Sequence, residues 1–128
     1  MTELVGIPFK DRGRTIEGFD CWGLVMHVHK EQTGETLPDF TYDLASAVSN
    51  SLYFAEQTIG PTWEETQPEF GVVAVFRIGG VIRHAGYMLD DVHFIHVLSE
   101  TRVVVERIDD IMWKKRVAGF WRYVDGNS

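Results

Sequence analysis

The sequence predicts an α+β domain, with N-terminal helices packed on an antiparallel sheet of about five strands. Apolar residues recur at helical spacing before Gly60, whereas β-branched runs with period two dominate after Gly71. Short turns separate those runs, which is typical of strands that follow one another in an antiparallel meander. The length of 128 residues, with 45% apolar and 24% charged residues, predicts a single domain over residues 1–128.

Two helices are predicted in the first half, after an irregular lead-in over residues 1–19. The first covers residues 20–32, with Asp20 placed to cap its start and Gly34 placed to end it. Its apolar stripe falls at i, i+3, i+4 and i+7 and consists of Cys21, Leu24, Val25 and Val28. The second covers residues 43–58 and is ended by Gly60-Pro61.

The strands are predicted after a polar, acidic loop over residues 61–70. They cover residues 72–78, 81–89, 92–98, 102–108 and roughly 117–124. Gly79-Gly80 and Asp90-Asp91 lie at hairpin turns, where such residues are favoured. Because helices precede strands rather than alternate with them, the pattern indicates α+β rather than a parallel βαβ fold.

The net charge of −7 predicts an acidic surface, which argues against DNA or RNA binding because that requires a basic face. We therefore expect no nucleic-acid partner and no docking on an anionic membrane. No stretch approaches the roughly 18 apolar residues of a spanning helix, so we expect no membrane insertion. The first residues, MTELVGIPFKDRGR, lack the apolar segment of a secretory signal, so we expect synthesis in the cytoplasm and delivery by another component.

The single cysteine, Cys21, opens the first predicted helix. One cysteine excludes an internal disulfide framework and a four-cysteine zinc site. Backbone N–H groups at a helix N-terminus favour a thiolate, the form of sulfur that attacks a carbonyl, so Cys21 is a candidate nucleophile. The alternative is a small buried residue on the helix stripe, which is the commoner role of cysteine.

A thiolate nucleophile needs a base, and His84 in the second predicted strand is the candidate. Gly86 lies two residues further on the same face, where a missing side chain leaves room for a helix terminus or a ligand. The alternative is a structural histidine with satisfied hydrogen bonds.

A third residue should orient that imidazole, and His93 and His96 compete for the role. A two-residue turn at Asp90-Asp91 would put His93 on the face of His84 but far along the strand. A three-residue loop over residues 89–91, or a bulge, would put His96 directly opposite His84. We predict an odd-length loop or a bulge, with His96 as the orienting residue and His93 on the other face.

A metal site is not indicated by the histidine spacing. His27 and His29 lie two residues apart, which separates their side chains by about 200° on a helix. No two histidine or cysteine residues lie at i, i+4 on a predicted helix. We expect no metal and no cofactor.

Three segments together resemble the NlpC-type cell-wall endopeptidases, a branch of the papain-like cysteine peptidases. They are GFDCWGLV at 18–25, HAGY at 84–87 and FIHV at 94–97. The resemblance covers nearly the whole chain, from about Gly6 to Tyr123. It implies a papain-like fold and hydrolysis of peptide bonds next to D-amino acids in peptidoglycan stem peptides, commonly between D-Glu and a diamino acid.

The resemblance also implies roles for individual residues. Cys21 matches the nucleophile, His84 the general base and His96 the polar residue that holds the imidazole. Asp20 matches an acidic residue that in some members meets the free amine of a stem peptide. Trp22 stands where many members carry serine, and Phe9 stands where many carry tyrosine. We expect Asp20, Trp22 and Phe9 to contact substrate, with the lost hydroxyls altering preference rather than removing the nucleophile.

The combination of GIPFKDRGR, GFDCWGLV and LPD most resembles members attached to phage tails or tail-like particles. A virion location and tail or tail-tip partner proteins are therefore expected. The alternative is a structural tail-tip or assembly protein that keeps the fold with little or no hydrolysis. A further alternative is acyl transfer or amide hydrolysis on another substrate, because one triad serves several acyl chemistries.

Overall fold

Strands and a helix form the α+β arrangement that the sequence predicts. The computed structural model describes residues 2–38 and 63–124. Within these ranges the elements are a 3₁₀ turn (Thr2–Leu4), β1 (Arg14–Thr15), β2 (Gly18–Phe19), α1 (Cys21–Thr33), β3 (Trp63–Glu65), β4 (Val73–Ile78), β5 (Val81–Met88), β6 (His93–His96), β7 (Val104–Arg107) and β8 (Val117–Tyr123). The second predicted helix, over residues 43–58, lies outside the described residues.

The main sheet has the order β3-β8-β4-β5-β6-β7, and each neighbouring pair is antiparallel. Strands β4 to β7 form the predicted meander, whereas β8 returns to the other edge of β4. The prediction of a loop over residues 61–70 is wrong at β3, which pairs with β8. The buried ring of Trp63 packs against Tyr123 of β8, with 5.2 Å between the ring centroids. This contact anchors residues 63–65 against the sheet and accounts for the extra strand.

Helix α1 covers Cys21–Thr33 rather than residues 20–32, one residue later at each end, and it has the predicted cap and stop residues. The Asp20 side chain accepts a hydrogen bond from the backbone N–H of Gly23. Gly34 has a φ of 79° and donates its backbone N–H to the carbonyl of Lys30. A left-handed glycine after the last turn is a common helix terminator because it has no Cβ to clash.

The sheet separates two apolar clusters, because successive side chains in a strand point to opposite faces. One cluster joins the buried stripe of α1 to the near face of the sheet. Its sheet residues include Val73, Val75, Tyr87 and Ile95. The other lies on the far face and consists of Val72, Ala74, Phe76, Met88, Phe94, Ile108 and Trp113. Across residues 2–38 and 63–124, no helix is long and apolar enough to cross a membrane.

Candidate active site

Cys21 is the first residue of α1, and 5% of its surface is exposed. Burial is the largest influence on the thiol and raises its pKa to about 11. Backbone hydrogen bonds from Ala85 and Trp22 and the charge of Arg14 act in the opposite direction, but they do not outweigh burial. The backbone at the helix N-terminus favours the thiolate, as expected, but the resting thiol stays protonated because desolvation penalises the charged sulfur more strongly.

His84 on β5 and His96 on β6 form a buried imidazole pair. His84 Nε2 lies 2.8 Å from His96 Nδ1, and the ring centroids are 5.0 Å apart. Burial lowers the pKa of His96 and holds that of His84 well below its usual range. Both rings are therefore neutral near pH 7, so each carries one ring proton.

The β5–β6 hairpin brings the two rings together with an odd-length loop, as predicted. Tyr87 pairs with Ile95 and Met88 with Phe94, and the Leu89 N–H donates to the His93 carbonyl. The loop thus covers residues 90–92 rather than 89–91. The prediction that His96 lies directly opposite His84 is wrong in this detail, because the shifted register places His96 beside Gly86 on the same face.

Gly86 provides the space that the imidazole pair requires. A Cβ at this position would lie 2.8 Å from Cδ2 of Phe94 and 3.3 Å from Cβ of His96. The predicted role of Gly86, to leave room on the face of His84, agrees with this geometry, although the room is filled by side chains of β6 rather than by α1.

Aromatic rings enclose the imidazole pair on the far face of the sheet. Trp113 is buried, with its ring centroid 4.8 Å from that of His96 and 6.0 Å from that of His84. Phe94 lies 4.4 Å from His96, and Phe76 lies 5.5 Å from His84. This surrounding explains the low imidazole pKa values, because apolar rings replace water around both histidines.

Glu106 on β7 extends the pair to a third side chain. Its Oε2 atom lies 2.5 Å from Nε2 of His96, while Glu106 itself is partly exposed. The sequence analysis missed this contact. Only the register of β7 against β6 reveals it: Phe94 pairs with Glu106, which puts the carboxylate on the face that carries His96.

The thiol of Cys21 lies next to the backbone of Ala85, the residue after His84. Among the described residues no hydrogen bond joins Cys21 to either imidazole. His84 uses Nε2 for His96, so Nδ1 is the ring nitrogen left for a reacting group. The structure therefore brings together His84 and His96, and it places Cys21 beside the same strand.

Asp20 has a structural role at the start of α1. Its Oδ1 atom accepts hydrogen bonds from the Gly23 N–H and from Arg14 Nη1, both at 2.7 Å. Gly23 is required there, because a Cβ would lie 2.0 Å from the carbonyl oxygen of Gly13. Asp20 thus ties the first turn of α1 to β1 and fixes the position of Cys21. Its contact with substrate stays a prediction.

Trp22 and Phe9 occupy different surroundings. Trp22 is buried in the core, where its indole N–H donates to the carbonyl of Pro38 at 2.9 Å. This location gives the Trp22 ring a packing role, and its contact with substrate stays a prediction. Phe9 is half-buried and lines a groove of about 1020 Å³. The groove also contains His96, Arg102, Glu106, Met112 and Trp113.

The remaining histidines have separate partners. His29 lies 2.7 Å from the Tyr87 hydroxyl and 2.6 Å from Glu35, whereas His27 lies 2.9 Å from Glu31. His93 lies beside Asp90 in the hairpin loop, away from the imidazole pair, as predicted. In the part of the chain that the structure describes, no group of three or more His, Cys, Asp or Glu side chains could hold a metal ion.

A family model described as the NlpC/P60 family matches residues 6–122. The chain belongs to the NlpC/P60 family. Solved structures share the fold. The NlpC/P60 family protein from Bacillus cereus ATCC 10987 has a TM-score of 0.67 at 20% identity, covering 97% of this chain and 38% of that one. The NlpC/p60 domain of peptidoglycan hydrolase SagA has a TM-score of 0.59 at 19% identity, covering 97% and 91%. The predicted fold class is confirmed.

Curated relatives of this NlpC/P60 chain carry names of hydrolytic enzymes, and two of the three below name murein or peptidoglycan. Murein DD-endopeptidase MepS/Murein LD-carboxypeptidase of Escherichia coli (strain K12) is 28% identical over 111 residues, 87% of this chain and 53% of that protein. Probable peptidoglycan endopeptidase LytE of Bacillus subtilis (strain 168) is 29% identical over 122 residues, which are 94% of this chain and 31% of that protein. Gamma-DL-glutamyl hydrolase of the same strain is 30% identical over 124 residues, 93% and 27%. The chain thus spans about half the length of the first relative and less than a third of the other two.

Proposed function

We propose that this NlpC/P60 domain is a cysteine peptidase that hydrolyses peptide bonds in peptidoglycan stem peptides. The observation that carries the proposal is the 2.8 Å contact between His84 Nε2 and His96 Nδ1. Ala85, the residue that follows His84 on β5, contacts the Cys21 thiol through its backbone. Acyl transfer requires a nucleophile and a base that a second polar residue holds, and we propose that the Cys21 thiol comes within reach of His84 Nδ1 when substrate binds. The endopeptidase names of the relatives support peptidoglycan as the substrate.

In the proposed reaction, the proton of the Cys21 thiol passes to Nδ1 of His84 while the sulfur bonds to the scissile carbonyl carbon. The carbonyl oxygen becomes an oxyanion, which the backbone N–H of Cys21 stabilises. The C–N bond then breaks, and the amine leaves with the proton from His84. In the second half water attacks the thioester carbon and gives up a proton to His84. The C–S bond then breaks, and His84 passes the proton to the sulfur, which regenerates the Cys21 thiol and releases the new carboxyl group.

Burial sets the protonation state from which this reaction starts. The pKa of Cys21 is raised to about 11 and that of His84 is lowered, so both groups are neutral before substrate arrives. We propose that proton transfer accompanies attack, because a charged sulfur without a substrate would be poorly solvated in this site.

The proposed bond joins D-Glu to a diamino acid, as the resemblance to NlpC-type enzymes implies. The name Gamma-DL-glutamyl hydrolase, borne by one relative, supports a glutamyl link. Phe9 in the groove supplies an apolar surface where many members have a tyrosine hydroxyl, and this change is expected to alter preference among stem peptides.

We further propose that the domain acts in a phage tail or tail-like particle, with tail-tip proteins as partners and the virion as its location. The segments GIPFKDRGR, GFDCWGLV and LPD support this setting by resemblance. Detection of the protein in purified particles by mass spectrometry tests it, and absence from particles that contain the other tail proteins would contradict it.

The experiment for the activity uses purified peptidoglycan and the release of new amino groups. The wild-type protein should release amines, and Cys21→Ala and His84→Asn should release none. The matched control is His93→Asn, because His93 is an exposed histidine outside the imidazole pair. Equal release by wild type and Cys21→Ala would contradict the proposal.

A second candidate is a structural tail protein that keeps the fold without hydrolysis. The thiol pKa of about 11 favours it, because the resting sulfur is not activated. A wild-type protein that releases no amines, yet is found in purified particles, would support this candidate over the first.

A further inference from the structure

Glu106 ends a chain of contacts that runs through both imidazoles. Its Oε2 lies 2.5 Å from His96 Nε2, and His96 Nδ1 lies 2.8 Å from His84 Nε2. His96 and His84 are buried, whereas Glu106 reaches the chain from the groove that also contains Phe9 and Trp113. These contacts use both ring nitrogens of His96 and Nε2 of His84, so Nδ1 of His84 is the one imidazole nitrogen of the pair outside them.

The positions of the ring protons follow from what each atom can do. A carboxylate oxygen only accepts hydrogen bonds, so the proton of neutral His96 lies on Nε2, facing Glu106. His96 Nδ1 is then an acceptor, so His84 donates from its own Nε2. His84 Nδ1 consequently carries no proton, which is the state that a base for the Cys21 thiol requires.

We propose that Glu106 is a positioning residue that fixes, through His96, which ring nitrogen of His84 carries the proton. The proposal rests on the proposed function, in which His84 is the base. Without the carboxylate, His96 can carry its proton on Nδ1 and donate to His84 Nε2. The proton of His84 then moves to Nδ1, and the ring cannot accept the proton of Cys21.

Other charged groups near the imidazole chain do not duplicate this role. The Cys21 thiol contacts the backbone of Ala85, the residue after His84, and the aromatic rings of Phe76, Phe94 and Trp113 carry no charge. Glu100 and Arg102 line the groove from the loop before β7. Among the described residues, neither makes a hydrogen bond to an imidazole. Glu100 therefore offers a matched control, since it is an acidic groove residue outside the chain.

The first test is ¹⁵N NMR of histidine-labelled protein, in which protonated and bare ring nitrogens resonate in separate regions. Assignment uses His84→Asn and His96→Asn. In the wild-type protein both rings should carry the proton on Nε2. Glu106→Gln should add the tautomer protonated at Nδ1, because an amide can donate as well as accept, while Glu100→Gln should match the wild type. A wild-type His96 protonated at Nδ1, or an unchanged Glu106→Gln spectrum, would overturn the proposal.

The second test is the rate of peptide hydrolysis. Glu106→Gln should lower kcat by about 10- to 100-fold with little change in KM, by analogy with the loss seen when a metal-bound histidine loses the carboxylate that orients it. Glu106→Asp keeps an acceptor-only group and should retain more activity than Glu106→Gln. Equal kcat for Glu106→Gln and wild type would overturn the proposal. If the wild type cleaves nothing, the proposed function fails, and the wild-type NMR spectrum still decides the role of Glu106.

Discussion

Gly86 on β5 and His96 on β6 approach each other so closely that a Cβ at position 86 would lie 3.3 Å from the Cβ of His96. Gly86→Ala should therefore displace His96 and Phe94 and lower the free energy of unfolding by about 1–3 kcal/mol. It should also reduce amine release, since His96 moves relative to His84. Urea denaturation and the amine assay measure the two effects. A glycine-to-alanine change at Gly34 is not a suitable control, because the positive φ of Gly34 would itself strain an alanine. Ala85→Gly, at the neighbouring position of β5, serves as the comparison instead.

An alanine variant with unchanged stability and activity would contradict the close contact at Gly86. It would mean that the β5–β6 hairpin opens enough to accept a methyl group beside the imidazole pair.

Asp20 holds the first turn of α1 through Gly23 and Arg14. Asp20→Ala should lower the free energy of unfolding by about 0.5–2 kcal/mol, because the helix loses its cap. Asp20→Asn should lose less, since its amide oxygen can still cap. Asp109→Ala, which removes an exposed ion pair with Arg107, should change stability by less than about 0.5 kcal/mol. Thermal or urea unfolding measures these changes. Equal losses in the free energy of unfolding for Asp20→Ala and Asp109→Ala would contradict the capping role.

The resting thiol should react slowly with iodoacetamide at neutral pH. Burial raises the pKa of Cys21 to about 11, so the rate should rise only well above the pH at which an unfolded cysteine ionises, about 8.5. Because Cys21 is the only cysteine, the same protein in urea supplies the comparison. The readout is the inflection of the rate against pH rather than the absolute rate, since burial also hinders access. An inflection below pH 8.5 would contradict the burial argument.

Acid should destabilise the fold through the imidazole pair. The pKa values of His84 and His96 are lowered in the folded protein, so below about pH 6.5 the unfolded chain binds protons that the folded protein does not. The contribution of the two neutral imidazoles to the free energy of unfolding is therefore fully present above that pH, and it is lost as the pH falls below it. Urea midpoints at several pH values should fall more steeply for the wild type than for His84→Gln. Equal slopes would show that His84 does not contribute to the loss.

The sequence predicts most of the elements because their signals are local. The apolar stripe after Asp20 and the period-two runs after Gly71 each reflect burial against one neighbouring surface. The odd-length hairpin loop followed from requiring His84 and His96 on one face, which is a rule of strand geometry rather than of loop sequence.

What the sequence analysis missed depends on contacts between distant segments. The pairing of β8 with β4 and the anchoring of β3 by Trp63 are non-local, and nothing near either strand signals them. Glu106 was overlooked because its role depends on the register of β7 against β6. The raised thiol pKa was missed because burial by the whole fold outweighs the local helix N-terminus.

The central claim is that Cys21 attacks a peptide bond of the peptidoglycan stem. Its most direct test is mass spectrometry of muropeptides and protein after acid quenching of a digest. The account predicts stem fragments cut after D-Glu, together with a Cys21-containing peptide heavier by the acyl fragment, and neither product with Cys21→Ala. Muropeptides that stay intact with the wild-type protein, or identical fragments from Cys21→Ala, would contradict it.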